Sequence, residues 1–451
     1  MIMNRFRIWA LLLLFLTCYS GSLFSQKMMT LDQCIYYAWD NNFSIRDQDL
    51  YVGIRKADYR QARNNMLPGL SFQSSFNENY GRSIDPSTNT YVGIQYFNSG
   101  YSLSSSVDLF AGFMKINTIE MQKFNYLAEK SHLQQLRNEL AFTIIDNYFN
   151  VLLQTGLVAI ALENYKLSHD QFEGTLKFVE VGRKPGTDLL ETEADVAADS
   201  TLLVQSHHLL EQAVLVLKSN MNFPVPDSLV IDTIVPSILS GMMDTLSMNK
   251  LYQTASEVLP DPDVYRNKML AAKKAMQVSK GSFSPSLGFY ASWSSLYAET
   301  NKDTDNHVLP FPDQFTNNSY EYLSLNLSIP LFTRFSNMTS LSKSKLQYQQ
   351  AKNQYDEVNY NLKMTVEKSL TDWRAAMAEY KSSLHQLDKS YNVYLVAEKK
   401  LEKGLINIIE FDIQKSKWVT AKTELFRTGL QVMLKERYLR FLMTGSLLSG
   451  K

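Results

Sequence analysis

The side chains that most often carry chemistry are few and scattered. The six histidines are His132, His169, His207, His208, His307 and His385. None shares a metal-ligand spacing with a thiol or an acidic partner. His207 and His208 are neighbours on a predicted helix, where adjacent side chains point apart, so a solvated face is expected there. Cys18 and Cys34 are the two cysteines. Cys18 lies in the N-terminal apolar segment, where Phe15-Leu16-Thr17 makes a poor approach for lipidation. Cys34 is then alone in the mature chain, which excludes a disulfide framework or a thiolate cluster. No glycine-rich phosphate loop and no Gly-x-Ser-x-Gly elbow is present. These residues point away from an enzyme and call for no cofactor. Any energy for work must come from a partner.

Composition narrows the class. Forty-five basic residues balance 45 acidic ones, and 25 Tyr and 24 Phe make the chain rich in aromatics. Zero net charge argues against a nucleic-acid surface. Arg5 and Arg7 precede an apolar run from Ile8 to Leu16, too short to span a bilayer, followed by small residues. Residues 1–26 therefore read as a secretory signal, and the mature chain leaves the cytoplasm. No later stretch offers about 18 continuous apolar residues.

The rest of the chain is written twice. Pro68-Gly69-Leu70-Ser71-Phe72 recurs as Pro285-Ser286-Leu287-Gly288-Phe289. Ser106-Val107-Asp108-Leu109-Phe110 recurs as Ser328-Ile329-Pro330-Leu331-Phe332. Gly182 followed by Asp188-Leu189 recurs as Gly404 followed by Glu410-Phe411. The last two matches share one offset, 222 residues (106 to 328, 182 to 404). The expected organisation is a first repeat at 27–223, a proline-broken linker at 224–250 and a second repeat at 251–451. Each repeat reads as a helix, two strands around a polar loop, a very long helix, a turn and a last helix. The register looks firm from the second strand to the turn and looser in the first helix.

Strands are signalled by period-two alternation. Tyr101, Leu103, Val107 and Leu109 oppose Ser102, Ser104, Ser106 and Asp108. Leu323, Leu325, Leu327, Ile329 and Leu331 oppose Ser324, Asn326 and Ser328. Leu70, Phe72 and Phe76 oppose Ser71, Gln73, Ser75 and Asn77. Leu287, Phe289, Trp293 and Tyr297 form a fourth apolar face with a less clean partner face. Each run is about 10 residues, the length of a tilted membrane-crossing strand. A half-buried soluble sheet would alternate equally well. Export, a Ser/Asn/Gln face suited to a wet lumen, and aromatics near the strand ends favour a membrane barrel. The aromatics expected at the bilayer interface are Tyr80, Tyr96, Tyr101, Trp293, Tyr297 and Tyr322, with Phe97 and Tyr320 beside them. Four strands cannot close a barrel in lipid, so copies must associate. Two copies would leave a filled interior and three would leave room for a channel. The strand-linking loops, 81–95 and 298–319, carry breaker clusters and are expected to be exposed.

Helices must fill the remainder. From Phe113 to about Glu180 there is no proline, and from about Ser336 to Lys403 neither proline nor glycine. About 68 helical residues would reach roughly 100 Å, which requires lateral support as in coiled coils. The shorter helices are expected at 31–66, 188–223, 262–283 and 410–446.

In this order and doubling the chain resembles the TolC-like outer-membrane efflux protein family. Leu31-Asp32-Gln33-Cys34 with Ala38 and Asn41-Asn42 looks like its opening helix. Leu67-Pro68 is similar to its helix-to-strand junction. Val107-Asp108-Leu109-Phe110 and Ile329-Pro330-Leu331-Phe332 resemble its strand-to-helix junction. The resemblance implies a mixed α and β membrane protein. It is a homotrimer whose 12-stranded β-barrel, four strands per chain, continues into a periplasmic α-helical coiled-coil barrel. It implies an exit duct embedded in outer-membrane lipid and reaching into the periplasm. Substrates would be handed over by an inner-membrane transporter and a periplasmic adaptor, for efflux or type I secretion. The turns match the family's tip motif at Gly182, Thr187, Asp188 and Leu189, and at Gly404, Glu410 and Phe411. The resemblance makes these the adaptor-docking residues, although Gly and an acidic first turn also serve simply to end and start helices. By the same resemblance Asp188 and Glu191 form the tunnel gate. Ile413 replaces the acid expected in the second repeat, and Asp412 beside it should face elsewhere. A periplasmic coiled-coil scaffold and a diffusion porin are the competing classes. The scaffold leaves the alternating strands unexplained, and the porin leaves the helices unexplained.

Overall fold

The structure, a computed structural model, describes residues 28–84, 89–92, 95–224, 227–232 and 247–447. The signal read at 1–26, Cys18, Asp85-Pro86-Ser87, Pro226 and Pro236 lie outside the described residues.

The two halves fold alike. In the first, α1 (Leu31–Asn41) and α2 (Phe43–Asn64) lead to β1 (Gly69–Asn79). A small hairpin, β2 (Ser83–Ile84) and β3 (Tyr91–Val92), precedes β4 (Tyr96–Ala111). Then come α3 (Met114–Glu180) and α4 (Gly186–Met221). In the second half α5 (Met248–Val258) and α6 (Pro260–Gly281) lead to β5 (Ser286–Ala298). A short α7 (Phe311–Asn317), β6 (Tyr320–Ser328), α8 (Ser336–Glu402) and α9 (Ile408–Thr444) follow. The two long helices have 67 residues each, as the absence of breakers in the sequence predicts.

The opening helices correct the sequence reading. The expected single helix at 31–66 is two, split at Asn42, whose backbone is extended. Asn42 Oδ1 accepts from the Ser44 and Ile45 amides at 2.9 and 3.4 Å, which starts α2 while α1 is ending. This is the capping use of asparagine. The second half is not shortened: α5 and α6 have the same 11 and 22 residues as α1 and α2. The register is therefore as firm here as elsewhere. Leu31 to Met248, Phe43 to Pro260 and Gly69 to Ser286 are each 217 residues. Met114 to Ser336 and Gly186 to Ile408 are each 222. The five-residue difference enters between the paired strands.

The chain divides into two compact units. One comprises Gln48–Leu133 and Pro260–Tyr360. It contains the four-stranded antiparallel sheet, in the order β1-β4-β5-β6. The central pair β4–β5 joins the two repeats. Two departures from simple alternation appear. The β4–β5 register shifts between Asp108 and Phe110, so Leu109 is a bulge and the period breaks there. Strand β6 ends at Ser328, before Ile329 and Leu331, because Pro330 has no amide to donate. Both strand-to-helix corners use left-handed backbone: Gly112 and Phe113 in the first repeat, Arg334 and Phe335 in the second.

The other unit comprises residues up to Asp47, Gln134–Leu259 and those from Asn361 on. Its core joins Cys34, Ile35 and Ala38 of α1, Ile144, Ile145 and Val151 of α3, and Leu217 and Met221 of α4. Leu251 and Ala255 of α5, Val366 and Trp373 of α8, and Val432 and Leu439 of α9 complete it. Burial pushes the Cys34 thiol up to about 12, so it is inert packing. Thr30 caps α1 with a capping box, its Oγ1 taking the Gln33 amide while the Gln33 side chain takes that of Thr30. A strand-like bridge, Met29 with Ile231, and the Tyr148 hydroxyl on the Asp232 carbonyl at 2.7 Å fasten the linker. α3 is long and apolar enough, by length and composition, to cross a membrane. Its apolar side chains Ala141, Ile144, Ile145 and Val151 are instead packed in this core.

Candidate functional site

The register sorts the sheet into two faces. Ser71, Ser104, Ser292 and Tyr322 stand in one row, and Gln73, Ser102, Ser294 and Tyr320 in the next. Ser71 and Ser104 share a hydroxyl hydrogen bond of 2.9 Å, and Asn77 donates to Asn98 at 3.0 Å. The opposite rows are Leu70, Ser105, Ala291 and Leu323, and Phe72, Leu103, Trp293 and Glu321. Leu70 and Leu323 are each 73% exposed, and Leu325 and Leu327 follow on the same side of β6. Exposed leucine on one face and hydroxyls on the other suit a wall between hydrocarbon and water. Strands β1 and β6 are the edges of this sheet. Their free backbone groups require pairing in a bilayer.

The aromatics do not all serve one belt. Phe76, Phe97 and Tyr297 form a chain of rings across β1, β4 and β5, at 6.4 and 6.2 Å between centroids. Tyr101 meets Phe76, Phe311 and Phe315. Trp293 meets Phe315 at 5.4 Å. Helix α7 thus folds back over the apolar face, so loop 298–319 is not wholly exposed as expected. Gln314 anchors it, buried, with its side chain on the Ala298 amide and carbonyl at 3.0 and 3.1 Å. Tyr80 is exposed just beyond β1. Tyr96 and Tyr322 correct the expectation, because the register puts both on the serine face. Tyr96 is only 3% exposed and its hydroxyl donates to the Ile84 carbonyl at 3.3 Å. Two-residue periodicity assigns a face only once the phase of each strand is known.

The two turns of the other unit are built identically. Gly182 and Gly404 have φ +68° and +67°. Gly182 donates to Val179 and Arg183 to Phe178, at 2.9 and 2.8 Å. Gly404 donates to Leu401 and Leu405 to Lys400, both at 2.9 Å. This is the Schellman closure of a helix, and glycine is there for its left-handed backbone. Asp188 and Glu410 then occupy the same third position of α4 and α9. The helix starts differ. Asn407 caps α9 by accepting the Glu410 amide at 2.8 Å, whereas Pro185 gives α4 no side-chain cap.

Thr187 and Glu410 are exposed, and Asp188 and Leu189 half-buried. Phe411 is not available for docking as expected. It is 4% exposed and packs with Ile408, Tyr394 and Ala397, while Trp418 stacks on Tyr394 at 4.6 Å. An aromatic ring on the inner face of a first turn fixes the turn rather than meeting a partner.

A groove of about 640 Å³ runs between α4 and α9, lined by Glu191, Ala194, Asp195, Ile409, Asp412, Ile413, Ser416 and Lys417. It brings Glu191 opposite Ile413, as their equivalent positions suggest, but Asp188 is not in its lining. It also overturns the expectation that Asp412 faces elsewhere. Residues 409, 412, 413 and 416 make one helical stripe wide enough to include both neighbours. Asp412 faces Asp195, and its carboxyl is pushed up to about 7 by burial and then by Asp195. Beneath it Lys415 is buried, 3.6 Å from Asp199 and bonded to Ser168 Oγ. Ser168 and Asn164 in turn donate to Asp199. Sequence reasoning missed Asp195, Asp199 and Lys415. A lysine and two aspartates on the inner stripes of α4 and α9 were the available signal. His207 and His208 are solvent-exposed, and among the described residues no His/Cys/Asp/Glu group is arranged to hold a metal ion.

The family model described as outer membrane efflux protein matches residues 34–222 and 252–445. No curated protein sequence matches the chain. Solved structures match its fold over nearly the whole length. The Campylobacter jejuni CmeC outer membrane channel is 14% identical, with a TM-score of 0.79 over 93% of this chain and 87% of that one. The outer membrane protein VceC from Vibrio cholerae is 14% identical, with a TM-score of 0.77 over 92% and 95%. The open state of the Neisseria gonorrhoeae MtrE outer membrane channel is 18% identical, with a TM-score of 0.74 over 92% and 89%.

Proposed function

Because the chain belongs to the outer membrane efflux protein family, whose members are channels of the outer membrane that extend into the periplasm, we propose that it is the exit duct of a tripartite export system. Substrates delivered by an inner-membrane transporter pass through a periplasmic adaptor into the duct and leave passively. The functional unit is a homotrimer. The observation that carries this reading is the sheet: four strands with one leucine face, one serine face and two edge strands. Three copies supply the twelve strands of a barrel with room for a channel. The duplicated Schellman turns at Gly182 and Gly404 support adaptor docking, since they present two rigid, equivalent loops per chain. The exposed surface there is chemically unequal. The first turn offers Arg183, Lys184, Thr187 and half-buried Asp188, and the second offers Leu405, Ile409 and Glu410.

The gate reading now rests on Glu191, with Asp195 and Asp412 beside it, and less on Asp188. The rings of Tyr101, Trp293 and Tyr297, with Tyr80 beyond them, mark the bilayer interface in this proposal. A scaffold without a channel has no use for a sheet that exposes leucine. In detergent the purified chain should have the mass of three copies and should conduct ions in planar bilayers. Photo-crosslinkers in place of Thr187 and Glu410 should capture a periplasmic adaptor in cells. A monodisperse monomer without conductance would overturn the duct, and a conducting trimer with no periplasmic partner would overturn the tripartite assignment alone.

A further inference from the structure

We propose that Asp195 and Asp412 form a proton-operated latch between α4 and α9: a proton shared by the two carboxyls holds the helices together beside the turns, and its loss drives them apart. The proposal uses the fold of this unit only and does not depend on which substrate or adaptor the duct serves.

The geometry is that of an enclosed acid pair. The two aspartates come from different repeats and hydrogen-bond each other across the groove. Two carboxylates can do so only if one keeps a proton. One oxygen of Asp412, Oδ1, is sealed from solvent and accepts no hydrogen bond, and Nε2 of the neighbouring Gln171 on α3 is also sealed and without a partner. An ionised Asp412 would therefore be poorly compensated where it stands. The equivalent positions in the other repeat are Leu190 and Lys417. The acid pair is thus not an element of the duplicated plan but an addition to it.

The surrounding charges determine the direction. From α4, Glu191 lines the same groove and adds negative charge, while Asp199 lies one turn deeper. From α9, Lys415 is the nearest cation, and it is engaged by Asp199 and Ser168. Lys417 lines the groove from the same helix. From α3 the neighbours are the uncharged Gln171 and Ser168. Residues of α8 contribute nothing to the lining.

Asp412 is raised from 3.8 to about 7 in the folded chain. Between those values the closed groove holds a proton that an opened, hydrated groove releases. Each upward step of pH in that window therefore favours opening, and above about 7 the latch is lost. The pair titrates as a unit, so this midpoint belongs to both carboxyls.

Hydrogen–deuterium exchange on the full chain in detergent tests the latch without a transporter or adaptor. After correction for intrinsic rates, segments 186–200 and 405–418 should exchange roughly fivefold faster at about pH 8.5 than at about pH 5.5. Asp412→Asn replaces the protonated acid with a neutral donor, so it should keep both segments slow at either pH. Asp195→Asn should do the same, which guards against one variant misfolding. The proposal is overturned if the wild-type chain shows no step, or if the step survives in both variants. Neither result would bear on trimer formation or conductance.

Discussion

Gly182 and Gly404, 222 residues apart in the chain, close their helices with the same left-handed backbone and the same pair of hydrogen bonds. A Cβ at either would meet nothing within 4 Å. Alanine is therefore penalised by backbone conformation alone, at about 1–2 kcal/mol for each turn. Gly182→Ala and Gly404→Ala should each speed amide exchange locally at their own turn without lowering global stability by more than that. Asparagine at either position should recover part of the loss. Equal effects of alanine and asparagine would count against the conformational cause.

The second turn has a cap that the first lacks. Asn407→Ala removes the acceptor for the Glu410 amide and should cost about 1 kcal/mol. The loss should appear as fraying of α9's first turn and a looser Phe411. Pro185→Asn tests the converse, since it offers α4 a side-chain cap where none exists. That variant should slow exchange across Thr187 to Leu189.

Arg334 occupies left-handed backbone at the corner where the first repeat has Gly112. Arg334→Gly should stabilise the chain by up to about 1 kcal/mol by relieving this strain. The reverse change is not tolerated. A Cβ at Gly112 would stand 2.5 Å from the Gly281 carbonyl oxygen, which is backbone and cannot step aside. Gly112→Ala should lower the unfolding temperature measurably, and an unchanged value would show that the corner is more plastic than its geometry implies.

Lys415 and Asp199 form a buried pair, with Ser168 and Asn164 completing the network. Lys415→Met leaves the Asp199 charge uncompensated and should destabilise the chain by about 3 kcal/mol. Lys415→Met combined with Asp199→Leu removes both charges and should recover most of that loss. Thermal unfolding of the four proteins in a double-mutant cycle measures the coupling. Additive losses would indicate that the two charges do not act as a pair.

The sheet faces make opposite predictions for the same substitution. Leu325→Arg places a cation among the exposed leucines and should cost about 2–4 kcal/mol if that face meets hydrocarbon. Asn326→Arg, one residue on, points to the serine face and should leave assembly intact while changing ion selectivity. Outer-membrane yield and planar-bilayer reversal potentials read the two effects. Equal tolerance at both positions would overturn the assignment of the faces.

What the sequence determined alone is what short-range physics controls. Helices α3 and α8 follow from long runs without breakers, and their ends fell within a residue or two of the structure. The strands follow from alternation, and the turns from Gly182 and Gly404, because left-handed backbone is a property of the residue itself. Asn42 could have been read as a start signal for α2, yet its split of the opening helix is hidden inside an otherwise helical pattern. Tertiary structure decided the rest. The bulge at Leu109 and the phase of β4 against β1 put Tyr96 on the serine face, which no period-two pattern within one strand can reveal. Phe411 is buried because Tyr394 and Trp418 arrive from elsewhere on α8 and α9. Asp195 and Asp412 belong to different repeats and meet only when α4 packs against α9. Burial and charge pairing are sums over neighbours in space, and the sequence orders neighbours only along the chain.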